Sequence, residues 1–348
     1  MQTALKRYSH WLNCPTLEAE LRKELEAIQH DEKEIYERFY TQLSFGTGGL
    51  RGIIGAGTNR MNRYTVRKSS LGLANYIKQH ASNPDQGVVI AYDNRYQSAE
   101  FAQEAALTLA CQGIKAYIYP SLRSTPQLSY SVRQLDCAAG IMITASHNPP
   151  QYNGYKVYGP DGAQLNLEEA NKVLQEINKI EDELSVSVMS KEEAVRQGLY
   201  IELGDELDNS YLDYILSLSL QPDLLKEKAQ SYPLVFTPLH GTAYEPVQKL
   251  LTKAGFTQVT YVPEQIKPDP EFSTVASPNP EEHAAFHLAI KHAQEVGAEL
   301  VMGTDPDADR LGLVVKDDEG NYVVLTGNQA GALFLHYILS QLKAQGKL

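Results

Sequence analysis

The sequence predicts an α/β protein of two related three-layer domains. Each is built on a mixed, mostly parallel sheet, with a helical N-terminal extension in front and the start of a third domain behind. Three observations carry that reading. Short β-rich runs alternate with helical runs in an order that occurs twice along the chain. Charged, helix-periodic residues occupy much of the first 44 positions. Two apolar strands end in loops crowded with reactive side chains, and open α/β sheets bind their ligands beyond the carboxyl ends of such strands.

Residues 1–44 are expected to be helical and to pack on the main body. Leu17, Leu21, Leu25 and Ile28 recur at three- and four-residue intervals while acids and bases fill the opposite face. The first α/β domain is placed at 45–205. There a strand at Gly87–Tyr92 is followed by a helix at Ser98–Cys111, a closing Gly113, and a strand at Ile114–Tyr119. A second helix, Pro126–Leu135, leads to a strand at Gly140–Thr144. The second domain is placed at 206–325 and repeats the order. Its elements are a strand at Pro233–Thr237, a helix at Tyr244–Ala254, Gly255, and a strand at Phe256–Val262. A helix at Glu281–Glu295 then leads to a strand at Ala298–Met302. The acidic stretch Glu181–Glu206 reads as the boundary, followed by an amphipathic helix at Leu207–Leu218. Residues 326–348 read as one opening helix of a third domain, so the chain is expected to be part of a longer protein.

The 348 residues suffice for about two domains of roughly 150 residues each, and 43% hydrophobic content is enough to fill their cores. A net charge of −12 argues against nucleic acid and acidic membrane surfaces as partners. Cys14, Cys111 and Cys137 show no metal-type spacing and read as free thiols. The N-terminus is too polar for a signal peptide, and no apolar run approaches about 18 residues. Together these features predict a soluble cytoplasmic enzyme. Oligomeric state is not legible.

If the order repeats, Ser146 and Asp305 stand in loops that leave equivalent strands. Asp305, Asp307 and Asp309 alternate as in an EF-hand, but that loop needs glycine at its sixth place and glutamate at its twelfth. Arg310 and Lys316 stand there instead. Three carboxylates so close repel by about 4 kcal/mol per pair at 4 Å and an effective dielectric near 20. A divalent cation removes that cost, and all-oxygen ligands favour Mg²⁺ over zinc. Ser146 lacks the Gly-x-Ser-x-Gly setting of esterase nucleophiles. A hydroxyl at one strand end and metal-type carboxylates at another suggest phosphoryl transfer through a phosphoserine. Gly55-Ala-Gly57 does not complete a dinucleotide fingerprint and reads as a tight turn. Asp93-Asn-Arg95 reads as support for the serine loop.

Four segments together resemble the α-D-phosphohexomutase family: Thr144-Ala-Ser-His-Asn-Pro-Pro150, Asn153-Gly-Tyr-Lys156, Gly303-Thr-Asp-Pro-Asp-Ala-Asp-Arg310 and Gly46-Thr-Gly-Gly-Leu-Arg-Gly52. The glycine-rich Phe45–Asn62 run and Lys267-Pro-Asp-Pro-Glu-Phe272 point to its phosphoglucomutase and phosphopentomutase branch. The resemblance implies an isomerase in which phosphorylated Ser146 gives its phosphoryl group to a sugar monophosphate. A bisphosphate forms, turns around and returns its other phosphate to the serine. Mg²⁺ would be held by Asp305, Asp307, Asp309 and one phosphoserine oxygen. Arg51, Lys156 and Arg310 would bind the phosphoryl charge, Lys156 with a general acid/base or charge-stabilising role. His147 would either orient the transferred phosphate or pack the loop. The implied substrates are glucose 1-phosphate and glucose 6-phosphate, with glucose 1,6-bisphosphate as activator. Mannose and pentose phosphates remain as alternatives. So does a catalytically incompetent metal or sugar-phosphate binder, because the family's sugar-recognising Gly-Glu-Glu-Ser-like loop and Arg-x-Ser-Gly-Thr-like phosphate loop are not found here.

Overall fold

A computed structural model describes residues 1–46, 48–81 and 84–348. The chain divides into two units. One comprises residues 1–122, 128–145 and 149–203; the other comprises 123–127, 146–148 and 204–348.

The first unit opens with three short helices, Gln2–Leu12, Ala19–Ala27 and Glu32–Phe39. Asp31 caps the third by accepting the backbone N–H groups of Lys33 and Glu34. Leu17, Leu21 and Leu25 face inward as their spacing predicts. The centre of this small core is aromatic, however. Trp11 and Phe39 are completely buried and meet edge-to-face, with ring centroids 5.8 Å apart. Tyr64, from the long helix Arg63–His80, closes on Trp11 at 5.5 Å and ties the helices to the sheet domain.

That domain carries six strands: β1 (Leu50–Ile53), β2 (Val88–Tyr92), β3 (Ala116–Ile118), β4 (Ala139–Ile143), β5 (Tyr152–Tyr158) and β6 (Tyr200–Glu202). Their order is β1-β5-β4-β2-β3-β6. β4, β2, β3 and β6 run parallel; β5 runs antiparallel to β4, and β1 antiparallel to β5 and so in the direction of β4. β4 is buried along its whole length and β2 along all but its last residue, as continuous apolar runs in parallel sheets demand. The helices Arg63–His80 and Leu167–Asn178 approach so closely that a Cβ on Gly72 would lie 2.3 Å from Ile177 Cγ1.

The second unit carries β7 (Leu234–Thr237), β8 (Val259–Tyr261), β9 (Leu300–Thr304), β10 (Leu311–Lys316) and β11 (Tyr322–Val324), ordered β11-β10-β9-β7-β8. β9, β7 and β8 are parallel; β10 runs antiparallel to β9, and β11 antiparallel to β10. The internal repeat is therefore real. The order β5-β4-β2-β3 of the first sheet recurs as β10-β9-β7-β8 in the second, with the same directions. Ser146 follows β4 and Asp305 follows β9, so the two loops leave equivalent strands.

Two details differ from expectation. The acidic stretch after residue 181 is not a bare boundary: it folds onto the first unit and adds β6 to its sheet edge. The helix expected from Glu281 begins only at His287, after a single 3₁₀ turn at His283–Phe286. The fully buried Phe286 ring explains the delay. It wedges against Gly303 and Gly312 of β9 and β10, where added Cβ atoms would come within 2.6 and 2.8 Å of it.

After β11, Thr326 and Gln329 form a capping box that starts the helix Gly327–Ala344. Leu333, Phe334, Leu335, Tyr337, Ile338 and Leu339 of this helix are exposed. Among the described residues, no helix is long and apolar enough to cross a membrane.

Candidate active site

The serine loop is held from below by a buried polar network in the first unit. Thr144, at the end of β4, donates its hydroxyl to Asp93 Oδ2 at 2.6 Å. Asp93 Oδ1 accepts the Arg95 backbone N–H at 3.0 Å and the Ser98 hydroxyl at 2.8 Å. The Arg95 guanidinium reaches past the loop and donates to the carbonyls of Pro149 and Tyr152 at 2.9 and 3.1 Å. Asp93 thus fixes the residue two before Ser146, and Arg95 fixes the chain three after it. At β5, a Cβ on Gly154 would lie 2.5 Å from Thr144 O, so only glycine lets the strand pass there.

Ser146 itself adopts the left-handed region, with φ +53°, which an L-serine occupies at an energetic cost. It is buried, and its hydroxyl donates to Asp305 Oδ2 at 2.6 Å. His147 Nδ1 lies 3.1 Å from the same Oγ.

The aspartate loop is built with equal care. Ala308 takes a positive φ of 57° and its N–H returns to Asp305 O. Arg310 donates its backbone N–H to Asp305 Oδ1 at 3.1 Å. Thr125 bonds Asp307 twice, through its N–H to the carbonyl at 2.9 Å and through its hydroxyl to Oδ2 at 3.1 Å. From the loop after β7, Thr242 donates its N–H to Pro306 O. Gly241 lies so close that a Cβ there would be 2.3 Å from Pro306 Cα.

Asp305, Asp307 and Asp309 each present a carboxylate oxygen within 4.8 Å of the others; the first two are fully buried and the third is exposed. Burial, with the charges of Asp307 and Asp309 added, pushes the Asp305 carboxyl up to about 9. Packing three acids into so small a space is unfavourable unless a cation or protons neutralise them. All-oxygen donors at this spacing fit a hard divalent ion such as Mg²⁺.

Ser146, His147, Asp305, Asp307, Asp309 and Arg310 are thus gathered in one unit. The Arg310 guanidinium pairs with Glu281 at 3.2 Å on the rim. Arg51 and Lys156 belong to the other unit, where they stand on one face of the β1–β5 ladder. Arg51 is opposite Gly154, and Lys156 lies two residues further along β5. Arg51 is exposed and Lys156 is buried.

Comparison with known proteins agrees with the fold. Residues 42–184 match the family described as phosphoglucomutase/phosphomannomutase, alpha/beta/alpha domain I, and residues 209–320 match its alpha/beta/alpha domain II. The chain belongs to this family. It is 42% identical over 334 residues to a Staphylococcus epidermidis phosphoglucomutase, covering 96% of this chain and 59% of the relative. A Staphylococcus aureus phosphoglucomutase is also 42% identical, over 315 residues, covering 90% of this chain and 55% of the relative. The chain therefore spans little more than half the length of these curated relatives. Among solved structures, a Thermus thermophilus protein described as a phosphomannomutase superposes with a TM-score of 0.66 at 26% identity. That match covers 81% of this chain and 58% of the other. The resemblance drawn from the four sequence motifs holds, and so does the two-domain α/β fold.

Sequence reasoning passed over Thr125, Gly241 and Thr242. The repeat contained the signal for the last two. Asp93-Asn-Arg95 follows β2, and β7 is the counterpart of β2, so a supporting loop was to be sought after β7. Nothing in the sequence near Thr125 announces its bonds to a residue 182 positions away.

Proposed function

We propose that this chain carries the phosphoserine and metal-binding machinery of a phosphoglucomutase-type isomerase. The observation that carries the reading is the 2.6 Å hydrogen bond from the Ser146 hydroxyl to Asp305, whose carboxyl is raised by burial and by the neighbouring aspartates. A hydroxyl held in a left-handed turn against a carboxylate cluster supports phosphoryl chemistry over acyl transfer.

In the forward step the Ser146 Oγ–P bond breaks and a bond forms from phosphorus to a hydroxyl oxygen of the sugar monophosphate. Net of this step, the freed Ser146 Oγ gains a proton and the sugar hydroxyl loses one, with Lys156 as the acid/base at the sugar oxygen. In the return step the other phosphate of the bisphosphate passes to Ser146 Oγ, which gives up its proton as the freed sugar oxygen gains one. Arg51 and Arg310 offer forked donors to the phosphoryl oxygens. His147, whose Nδ1 stands 3.1 Å from Ser146 Oγ, orients the group at that oxygen. Asp305, Asp307 and Asp309 would hold Mg²⁺, which when bound would supply charge withdrawal at the phosphoryl group and offset the repulsion among the carboxylates.

The glucose phosphates are the favoured substrates because the relatives at 42% identity are named phosphoglucomutases. The test is a transfer assay on the full chain with Mg²⁺ and the 1,6-bisphosphates of glucose and mannose or the 1,5-bisphosphate of ribose. Release of glucose monophosphate in preference to the other two is the expected result. Preferential transfer from mannose or ribose bisphosphate would reassign the substrate. Absence of transfer from all three would refute the reading.

A further inference from the structure

Away from both loops, the first unit contains a cavity of about 380 Å³ between the N-terminal helices, β1 and the helices Arg63–His80 and Leu167–Asn178. That size falls at the lower end of small-molecule sites, which run from roughly 300 to 1,000 Å³. Three charged groups line it. Lys68 and Glu183 are both buried, with Lys68 Nζ 3.7 Å from Glu183 Oε2 and 3.0 Å from Gln42 Oε1. Trp11 Nε1 takes the other Glu183 oxygen at 2.8 Å. Arg7, half-buried at the edge, spends one of its five N–H donors on Phe39 O at 3.0 Å.

Burial lowers the Lys68 ammonium below the ordinary lysine range; Glu183 works against that shift and the nearby Arg7 charge adds to it. Among the lining side chains, two cations and one carboxylate leave one positive charge in excess; Asp182, outside the lining, also acts on Lys68. A monoanion balances it, whereas a phosphate dianion overshoots. Leu43, Leu50 and Leu174 give one apolar wall. The lining hydroxyls of Thr58 and Ser69 already donate to the carbonyls of Thr41 and Thr65, at 2.5 and 2.7 Å. Their oxygens are left as acceptors, so the matching ligand supplies hydroxyl hydrogens.

We propose that this cavity is a binding site for a small organic hydroxycarboxylate. Its carboxylate would meet Arg7 and Lys68, its hydroxyls Thr58 and Ser69, and its carbon chain the leucine wall. Calorimetric titration of the full chain with D-glycerate, D-gluconate, acetate and inorganic phosphate tests it. Glycerate or gluconate should bind saturably at one site, and at least tenfold more tightly than acetate or phosphate. Arg7→Ala, at the cavity edge, and Lys68→Met should each weaken that binding at least tenfold. Lys172→Ala, on the exposed side of the Leu167–Asn178 helix, should leave it unchanged. Circular dichroism shows whether each variant folds, and if Lys68→Met does not, Arg7→Ala decides alone. The proposal is overturned if neither hydroxycarboxylate binds saturably, if acetate or phosphate binds as tightly, or if folded Arg7→Ala binds like the parent.

Discussion

The loop after β4 and the loop after β9 occupy the same place in two sheets of the same order, and they do opposite things with charge. The first presents a single hydroxyl, Ser146, in a left-handed turn and surrounds its base with satisfied hydrogen bonds from Asp93 and Arg95. The second gathers three carboxylates and supports them from Thr125, Gly241 and Thr242. The repeated βαβ arrangement supplies position only; the side chains placed there decide the chemistry. Each loop contains one left-handed residue, Ser146 or Ala308, and each is packed against a glycine of a neighbouring segment, Gly154 or Gly241, that admits no Cβ. On the proposed function one loop accepts an anion and the other a cation, and the hydrogen bond between Ser146 and Asp305 joins the two.

The sharpest way to break the comparison is to discharge the cation loop. Asp307→Ala should lower Mg²⁺ affinity on the order of 100-fold, since even outer partners of metal ligands are worth 10–100-fold. The fold should survive, because one of three repelling carboxylates is gone. Calorimetry with Mg²⁺, alongside a melting curve, checks both halves. Unchanged affinity would take the aspartate loop out of the site.

Acidity comes next. The Asp305 carboxyl is raised in the folded chain to about 9, against an ordinary value near 3.9. Between those limits the folded form holds a proton that the unfolded form has lost, so this group makes the metal-free protein less stable as pH rises from about 4 to 9. Mg²⁺ must displace that proton, so its affinity should rise with pH, by up to about tenfold per unit below 9. Melting and Mg²⁺ titrations from pH 6 to 8.5 would show both trends. An affinity flat across that range would contradict the raised carboxyl.

The supporting glycines give a paired test. Gly241→Ala would drive a Cβ into the Pro306 backbone of the second loop, and Gly154→Ala would drive one into Thr144 O beneath the first. Each should cost about 1–3 kcal/mol by urea denaturation, the range for overpacked interiors. Gly241→Ala should also weaken Mg²⁺ binding, while Gly154→Ala should leave it intact, which separates the two loops. The smallest effect belongs to Arg310→Ala. Its ion pair with Glu281 is largely exposed, so stability should change by no more than about 0.5 kcal/mol.

Both loops and the strands that launch them could be read from the sequence because their signals are local. Apolar runs such as Val88–Ala91 and Ala139–Ile143 have no alternative to burial, and Asp-x-Asp-x-Asp has few uses. The supports were harder to read. Thr125 acts through a partner 182 residues away, and the Trp11–Phe39–Tyr64 cluster joins segments whose spacing shows no period. β6 hid within an acidic stretch because a three-residue edge strand needs only backbone pairing with β3. Left-handed Ser146 was invisible for a different reason: serine has no intrinsic preference for that conformation, which the surrounding structure imposes.

The central claim is that Ser146 is the phosphoryl acceptor of this chain. The direct measurement is peptide mapping by mass spectrometry after incubation with glucose 1,6-bisphosphate and Mg²⁺, on the full chain and on Ser146→Ala. One phosphoryl group on Ser146, and none on a folded Ser146→Ala variant, is the predicted result. A phosphoryl group on Ser124 or His147, or one that persists in the alanine variant, would contradict it.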